Sequence, residues 1–247
     1  MMEIIKNNLT IKPVDAQVFQ DPNSPLPSEK ATFTKGIIGS KGSGKSSVIL
    51  NMLLKSEFYK KKFNRVYLCV ATVRSDEKWK LVDLDALEGQ LMPNDFDEGK
   101  LNEWMEDTQE AVEKAKAKNK KPPLTLVILD DYASFLDNHT LKHWLLNSRH
   151  LKTSFIITSQ KFSIMPTWMR SNMDAWVLFP PHSANEKNKI IEEVLSTYLS
   201  KKDIDELLKL VWNDPQQFMY VNTRLPKSVM FHQKFNTIKI PTAIERE

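Results

Sequence analysis

Gly39-Ser40-Lys41-Gly42-Ser43-Gly44-Lys45-Ser46 is the stretch that decides the fold. It satisfies the pattern G-x-x-x-x-G-K-[ST] in full, and that pattern requires a strand before it and a helix after it. Both flanks comply. Phe33 to Ile38 reads as a short strand, and SSVILNMLLK, Ser46 to Lys55, spaces its apolar residues as a helix does. Glycines let successive backbone N–H groups curl round a phosphate, and the helix N-terminus adds its positive end. Lys45 then reaches the β and γ phosphates, Ser46 offers its hydroxyl to Mg²⁺, and Ser47 continues the first helical turn. A flexible Gly/Ser turn is the plain alternative, and the strand–loop–helix setting disfavours it. The expectation is a nucleoside triphosphate site spanning Gly39 to Ser47.

Glycine usage sharpens the point. The 247 residues hold only six glycines against 13 prolines, and Gly36, Gly39, Gly42 and Gly44 fall within nine positions, with Gly89 and Gly99 elsewhere. The one cysteine, Cys69, cannot form an intrachain disulfide, and no CxxC pattern exists. A reducing, intracellular setting is therefore expected. The amino end, MMEIIKNNLT, lacks the apolar stretch of a signal peptide, and the apolar runs are strand-sized, so no membrane span is expected. A net charge of +4 permits an anionic partner without demanding one.

Working outward, RVYLCVA (Arg65 to Ala71), LTLVILDD (Leu124 to Asp131), SFIITSQ (Ser154 to Gln160) and AWVLF (Ala175 to Phe179) read as further strands. Helical patterns cover Leu101 to Val112, Thr140 to Asn147, NEKNKIIEEVLSTYL and DIDELLKLVW, the last capped by Ser200 or Asp203. The first of these runs into KAKAKNKKPP, where two prolines are expected to stop it. QFMYVNT reads as a last strand. Strands too apolar to have a wet face, alternating with helices, predict an α/β fold. Its central sheet is mainly parallel and flanked by helices. The expected organisation is an N-terminal arm over 1–30, a P-loop core over 31–182, and C-terminal helices and strand over 183–247 packed on that core.

Asp130 and Asp131 end the third strand. In a parallel sheet that end shares an edge with the phosphate loop. The first acid is placed to support Mg²⁺ and the second to orient an attacking water; two solvated acids at a helix start are the alternative. An additional strand, Arg65 to Ala71, sits between the phosphate-loop strand and the acidic one. With a second acid, that order resembles the ATPase division of P-loop proteins. No N-K-x-D motif supports a GTPase, and small-molecule kinases usually lack the second acid. Hydrolysis is the expected reaction.

Gln160 ends the next strand, where its amide can report on a γ-phosphate; an ordinary cap is the alternative. Arg149 precedes the same strand near the opposite end, too far for its own subunit's nucleotide but suited to a neighbour's in a ring. A surface salt bridge is its plainer reading. Together GSKGSGKSS, VATVRSDEKW, LVILDDY, NSRHLKTSFIITSQ and MPTWMRSN resemble the FtsK–HerA superfamily of DNA-pumping ATPases. They look most like its viral branch, the genome-packaging ATPases of poxviruses, giant viruses and virophages, over about Phe33 to Phe179.

The resemblance implies ATP and Mg²⁺ held by Lys45, Ser46 and Asp130, with Asp131 as catalytic acid and Gln160 as sensor. It makes Arg149 the trans finger, with Arg170, after Pro166 and before Asn172, as a second candidate. The wider superfamily usually has Glu where Asp131 stands; one methylene less moves the carboxylate by roughly 1.5 Å, so the water must sit closer or another group must help, and the viral branch commonly carries Asp-Asp there. Implied partners are double-stranded DNA, bound without sequence preference, a homo-oligomeric ring, and a capsid or capsid-associated membrane protein. The implied places are host cytoplasm, virus factory and virion. Rival readings are a cellular or plasmid DNA-transfer or segregation ATPase, a nucleotide kinase, and a nucleotide-gated switch.

Weaker signals remain. Lys114, Lys116, Lys118, Lys120 and Lys121 suit DNA phosphates or, equally, a solvated helix end. His139 and His143 lack the Glu of a zinc helix. Trp79, near Arg74 and Asp76, is expected to pack, as is Cys69.

Overall fold

The computed structural model describes residues 26, 27, 32–70, 72, 73, 75–84, 87, 90–92, 96–132 and 135–240. Nearly all of the expected N-terminal arm, with Ala71, Arg74 and Gly89, lies outside them.

The apolar segments form one sheet. β1 (Thr34–Ile38), β2 (Arg65–Val70), β3 (Leu91–Met92), β4 (Thr125–Asp130), β5 (Thr153–Ser159) and β6 (Ala175–Leu178) run parallel. β7 (Met219–Asn222), β8 (Phe231–Gln233) and β9 (Asn236–Thr237) continue it in antiparallel pairing. The order is β3-β2-β4-β5-β1-β6-β7-β8-β9. Along the chain β2 falls between β1 and β4, but in the sheet it lies outside β4, and the strand that separates β1 from β4 is β5. Every residue of β5 is buried, so it needs a pairing partner on both edges.

Both faces of the sheet are covered. α2 (Glu98–Ala117), α3 (His139–Leu146), α5 (Ala184–Ile190) and α6 (Lys201–Val211) supply Trp104, Trp144, Ile190 and Leu207 to one core. α1 (Lys45–Leu54), Tyr59 and the short 3-10 turn carrying Trp79 cover the other. A brief helix, α4 (Thr167–Arg170), follows β5, and α5 runs on into a π-helical turn over Ile191–Leu195. Ser200 caps α6, accepting from the Asp203 N–H at 3.2 Å.

One local expectation changes, and one glycine gains a role. α2 ends at Ala117, before the prolines, because Asn119 turns left-handed (φ 52°) and directs the Lys120 N–H back to the Ala115 carbonyl at 2.8 Å. Gly36, outside the phosphate-binding pattern, is a packing glycine. A Cβ there would lie 2.4 Å from the ring of Trp176 on β6. The hairpin β8–β9 and the two-residue β3 carry too few residues for their alternation to be read from sequence.

Candidate nucleotide site

The site is assembled at the carboxyl edge of the parallel strands. Gly42 and Gly44 take φ of 81° and 107°, which L side chains rarely adopt, and this bends the chain from β1 into α1. Lys45 Nζ donates to the carbonyls of Gly39 at 2.9 Å and Ser40 at 3.3 Å, so the lysine lies along its own loop. Lys41, Ser43 and Ser47 line the same cleft. Ser46 Oγ donates to Asp130 Oδ2 at 3.0 Å, joining the first turn of α1 to the end of β4.

Thr158, on the inserted strand β5, holds both acids. Its hydroxyl donates to Asp130 Oδ1 at 2.7 Å and accepts the backbone N–H of Asp131 at 2.9 Å. Asp131 leaves β4 with φ 64°, a left-handed position that Asp tolerates better than most residues. Its carboxylate accepts from Gln160 Nε2 at 3.2 Å. Asp130 is buried, and burial pushes its carboxyl pKa up. The Thr158 and Ser46 hydroxyls and the Lys45 charge oppose the rise, while the Asp131 charge adds to it. The sequence reading missed Thr158, whose signal is a hydroxyl near the end of an otherwise apolar strand. It also missed His182, whose Nε2 lies 2.7 Å from Ser40 Oγ.

The cleft over the loop has a volume of about 940 Å³. Both acids line it, with Thr72 and Asp76 from the segment after β2 and Phe179, Phe218 and Phe235 from β6 to β9.

Arg149 is not part of this cluster. It is exposed at the amino end of β5, the seven-residue strand whose other end leads to Gln160. That strand is about 20 Å long, beyond the reach of one arginine side chain. The chain that follows α2 enters β4 at this far edge beside Lys152, since Thr125 N–H bonds the Lys152 carbonyl at 3.0 Å. Lys114 pairs with Glu110 within its own helix at 2.5 Å.

Arg170 is committed inside the chain. Its Nε and Nη2 meet the two oxygens of Glu193 at 2.7 and 2.8 Å, its Nη1 bonds the Met165 carbonyl, and it stacks over Phe162 at 5.1 Å. That fork geometry holds α4 to the π-helical turn. Pro166 caps α4 and Asn172 bonds the Trp168 carbonyl at 2.6 Å, so these two also brace the turn into β6. Trp79 and Cys69 are core residues, with no exposed surface.

A glycine loop between β1 and α1, two acids at the end of β4, and β5 inserted between those strands define a P-loop NTPase fold. The chain belongs to the Poxvirus A32 protein family, whose model matches residues 27–237. Among curated proteins, sequence comparison finds no match.

Solved structures share the fold at low identity. B204, the DNA-packaging ATPase from Sulfolobus Turreted Icosahedral Virus, is 18% identical with a TM-score of 0.52, covering 78% of this chain and 93% of its own. The genome packaging NTPase B204 from Sulfolobus turreted icosahedral virus 2, in complex with ATP-gammaS, is 15% identical with a TM-score of 0.54, covering 83% and 98%. EssC (ATPases 2 and 3) from Geobacillus thermodenitrificans is 16% identical with a TM-score of 0.55, covering 86% of this chain and 41% of its own.

Proposed function

We propose that this protein is a Mg²⁺-dependent ATPase that drives double-stranded DNA into a viral capsid, working as a homo-oligomeric ring. The observation that carries the reading is the Asp131–Gln160 pair, 3.2 Å apart, beside the Ser46–Asp130 pair at 3.0 Å. One pair suits an attacking water and the other suits a metal-bound triphosphate. Membership of the Poxvirus A32 family and the fold shared with packaging ATPases support the same reading.

The donors fit magnesium. Ser46 and Asp130 present hard oxygens, and Mg²⁺ takes one or two protein ligands while keeping waters and phosphate oxygens. When bound it would neutralise charge on the β and γ phosphates. Lys45 turns from its loop carbonyls to the same phosphates. Asp131 orients the attacking water and accepts its proton, its left-handed backbone setting the direction of the short side chain. Gln160, bonded to Asp131, reports whether the γ-phosphate is in place. Arg149 acts on the neighbouring subunit's nucleotide, and the lysines that end α2 suit polyanions.

In this reading residues 31–182 form the motor core and 183–247 extend its sheet and complete its cleft. Capsid contact and residence in host cytoplasm, virus factory and virion follow from the packaging role. Among the described residues no helix is long and apolar enough to cross a membrane.

The deciding experiment measures ATP hydrolysis with and without double-stranded DNA, with particle shape imaged at the same protein concentration. DNA-stimulated turnover and rings are expected. A monomer whose turnover ignores DNA overturns the motor reading in favour of a nucleotide kinase or a nucleotide-gated switch.

A further inference from the structure

We propose that the end of the cleft beyond the phosphate loop seats the purine base of the nucleotide, with Phe218 and Phe235 as its stacking wall and Gln216 reading its edge. The proposal rests on the loop being a triphosphate site and goes further, assigning specificity to the C-terminal strands.

The cleft is continuous. Lys45 and Asp131 line it together with Gln216, Phe218 and Phe235. Its volume of about 940 Å³ is at the upper end of ordinary small-molecule sites, more than a triphosphate group needs. An unbroken row of rings leads away from the loop. The ring of Phe179 lies under Gly44, where a Cβ would be 3.7 Å away, and its centroid is 5.3 Å from that of Phe218. The Phe218 ring is 5.4 Å from Phe235, and Phe235 is 5.1 Å from Phe58, the turn after α1.

The β8–β9 hairpin is fixed in this wall from two sides. Lys234 N–H bonds the Phe218 carbonyl at 2.9 Å, and Lys234 itself is left-handed at φ 53°. A lysine held there is strained, and the turn that results sets both Lys234 and Phe235 on the cleft. Packing alone accounts for a ring cluster, but not for the polar residues on its cleft side. Gln216 is exposed, lines the cleft and makes no side-chain hydrogen bond among the described residues. A carboxamide offers two donors and an acceptor, the complement of a base's polar edge. Aromatic walls accept any base by its face, so the phenylalanines would supply affinity and Gln216 the preference.

The test compares binding of ATP and of inorganic tripolyphosphate, both with Mg²⁺, to wild type and variants. Phe235→Ala should weaken ATP by about tenfold, the ordinary scale for one base–aromatic stack, and leave tripolyphosphate unchanged. Phe235→Tyr should keep wild-type affinity for both. Gln216→Ala, at an exposed position, should shift the ratio of ATP to GTP affinity. Should Phe235→Ala fail to fold, Phe235→Leu fills the space without a ring and is expected to show the same selective loss. Equal losses for both ligands, or unchanged ATP affinity in Phe235→Ala (or its Leu substitute) together with an unchanged ATP-to-GTP ratio in Gln216→Ala, overturn the base assignment. Lys45→Ala should weaken both ligands; if it spares both, the triphosphate reading fails instead.

Discussion

Gln160 Nε2 donates to Asp131 Oδ2 across 3.2 Å, from the end of β5 to the end of β4. The two strands are neighbours only because β5 is inserted between β4 and the phosphate-loop strand. On the proposed function, the side chain assigned to sense the γ-phosphate is thereby bonded to the one assigned to activate water, and a change at one would reach the other through a single hydrogen bond.

Asp131→Asn keeps the size and the Gln160 contact but removes the proton acceptor. ATP binding should persist while turnover falls by about 10²- to 10⁴-fold, the usual contribution of a positioned base. Single-turnover hydrolysis alongside nucleotide binding checks this, and wild-type turnover in Asp131→Asn would sink the role.

Thr158 supports both acids through one hydroxyl. Thr158→Val should cost about 1–3 kcal/mol of stability, because it leaves a buried carboxylate oxygen and the Asp131 N–H without that partner. Turnover should fall as well. Thr158→Ser should recover both properties, measured by urea denaturation and ATPase rate. Full activity in Thr158→Val would show that the acids hold their places unaided.

Arg149 and Arg170 should separate. Arg149→Ala is expected to lose turnover while keeping nucleotide affinity, and rings mixed from Arg149→Ala and Lys45→Ala subunits should regain some hydrolysis. No recovery in such mixtures removes the support for a trans role. Arg170→Ala should instead lower stability, since its fork to Glu193 is only 11% exposed on the arginine side.

Lys35 gives a pH prediction. It is wholly buried on β1 among Phe33, Tyr59 and Tyr220, with Nζ 3.3 Å from the Tyr59 hydroxyl, and burial lowers its pKa to about 7. The unfolded lysine titrates near 10.5, so between pH 7 and 10.5 the unfolded chain binds more protons and stability rises with pH. Below pH 7 the full cost of a buried charge applies. Lys35→Met should therefore stabilise the protein most below pH 7, on the order of a few kcal/mol, with the advantage shrinking toward pH 10. Urea titrations of both proteins across that range test it; a pH-independent difference contradicts the buried-charge account.

Much of the candidate site is legible in the sequence. The glycine loop, Ser46, Asp130, Asp131 and Gln160 are identified by residue type and by position at strand ends, which is local information. Thr158 was not, because a hydroxyl within SFIITS acquires meaning only when its strand lies between two others. His182 and Phe235 were hidden for the same reason. His182 lies 142 residues along the chain from Ser40, which it meets, and Phe235 lies 191 residues from Gly44, whose cleft it shares. Arg170 is a candidate finger through the resemblance carried by Pro166, Arg170 and Asn172, and its pairing with Glu193 across 23 residues is visible only in the fold.

The sequence by itself determined the loop chemistry and the alternation of strands and helices, since backbone preference and hydrophobic period act over a few residues. Tertiary structure alone decided which strand separates β1 from β4, that Arg170 pairs with Glu193, and what lines the far side of the cleft. Those depend on pairings between segments far apart in the chain, where burial and hydrogen-bond satisfaction over the whole sheet select one arrangement that no local pattern encodes.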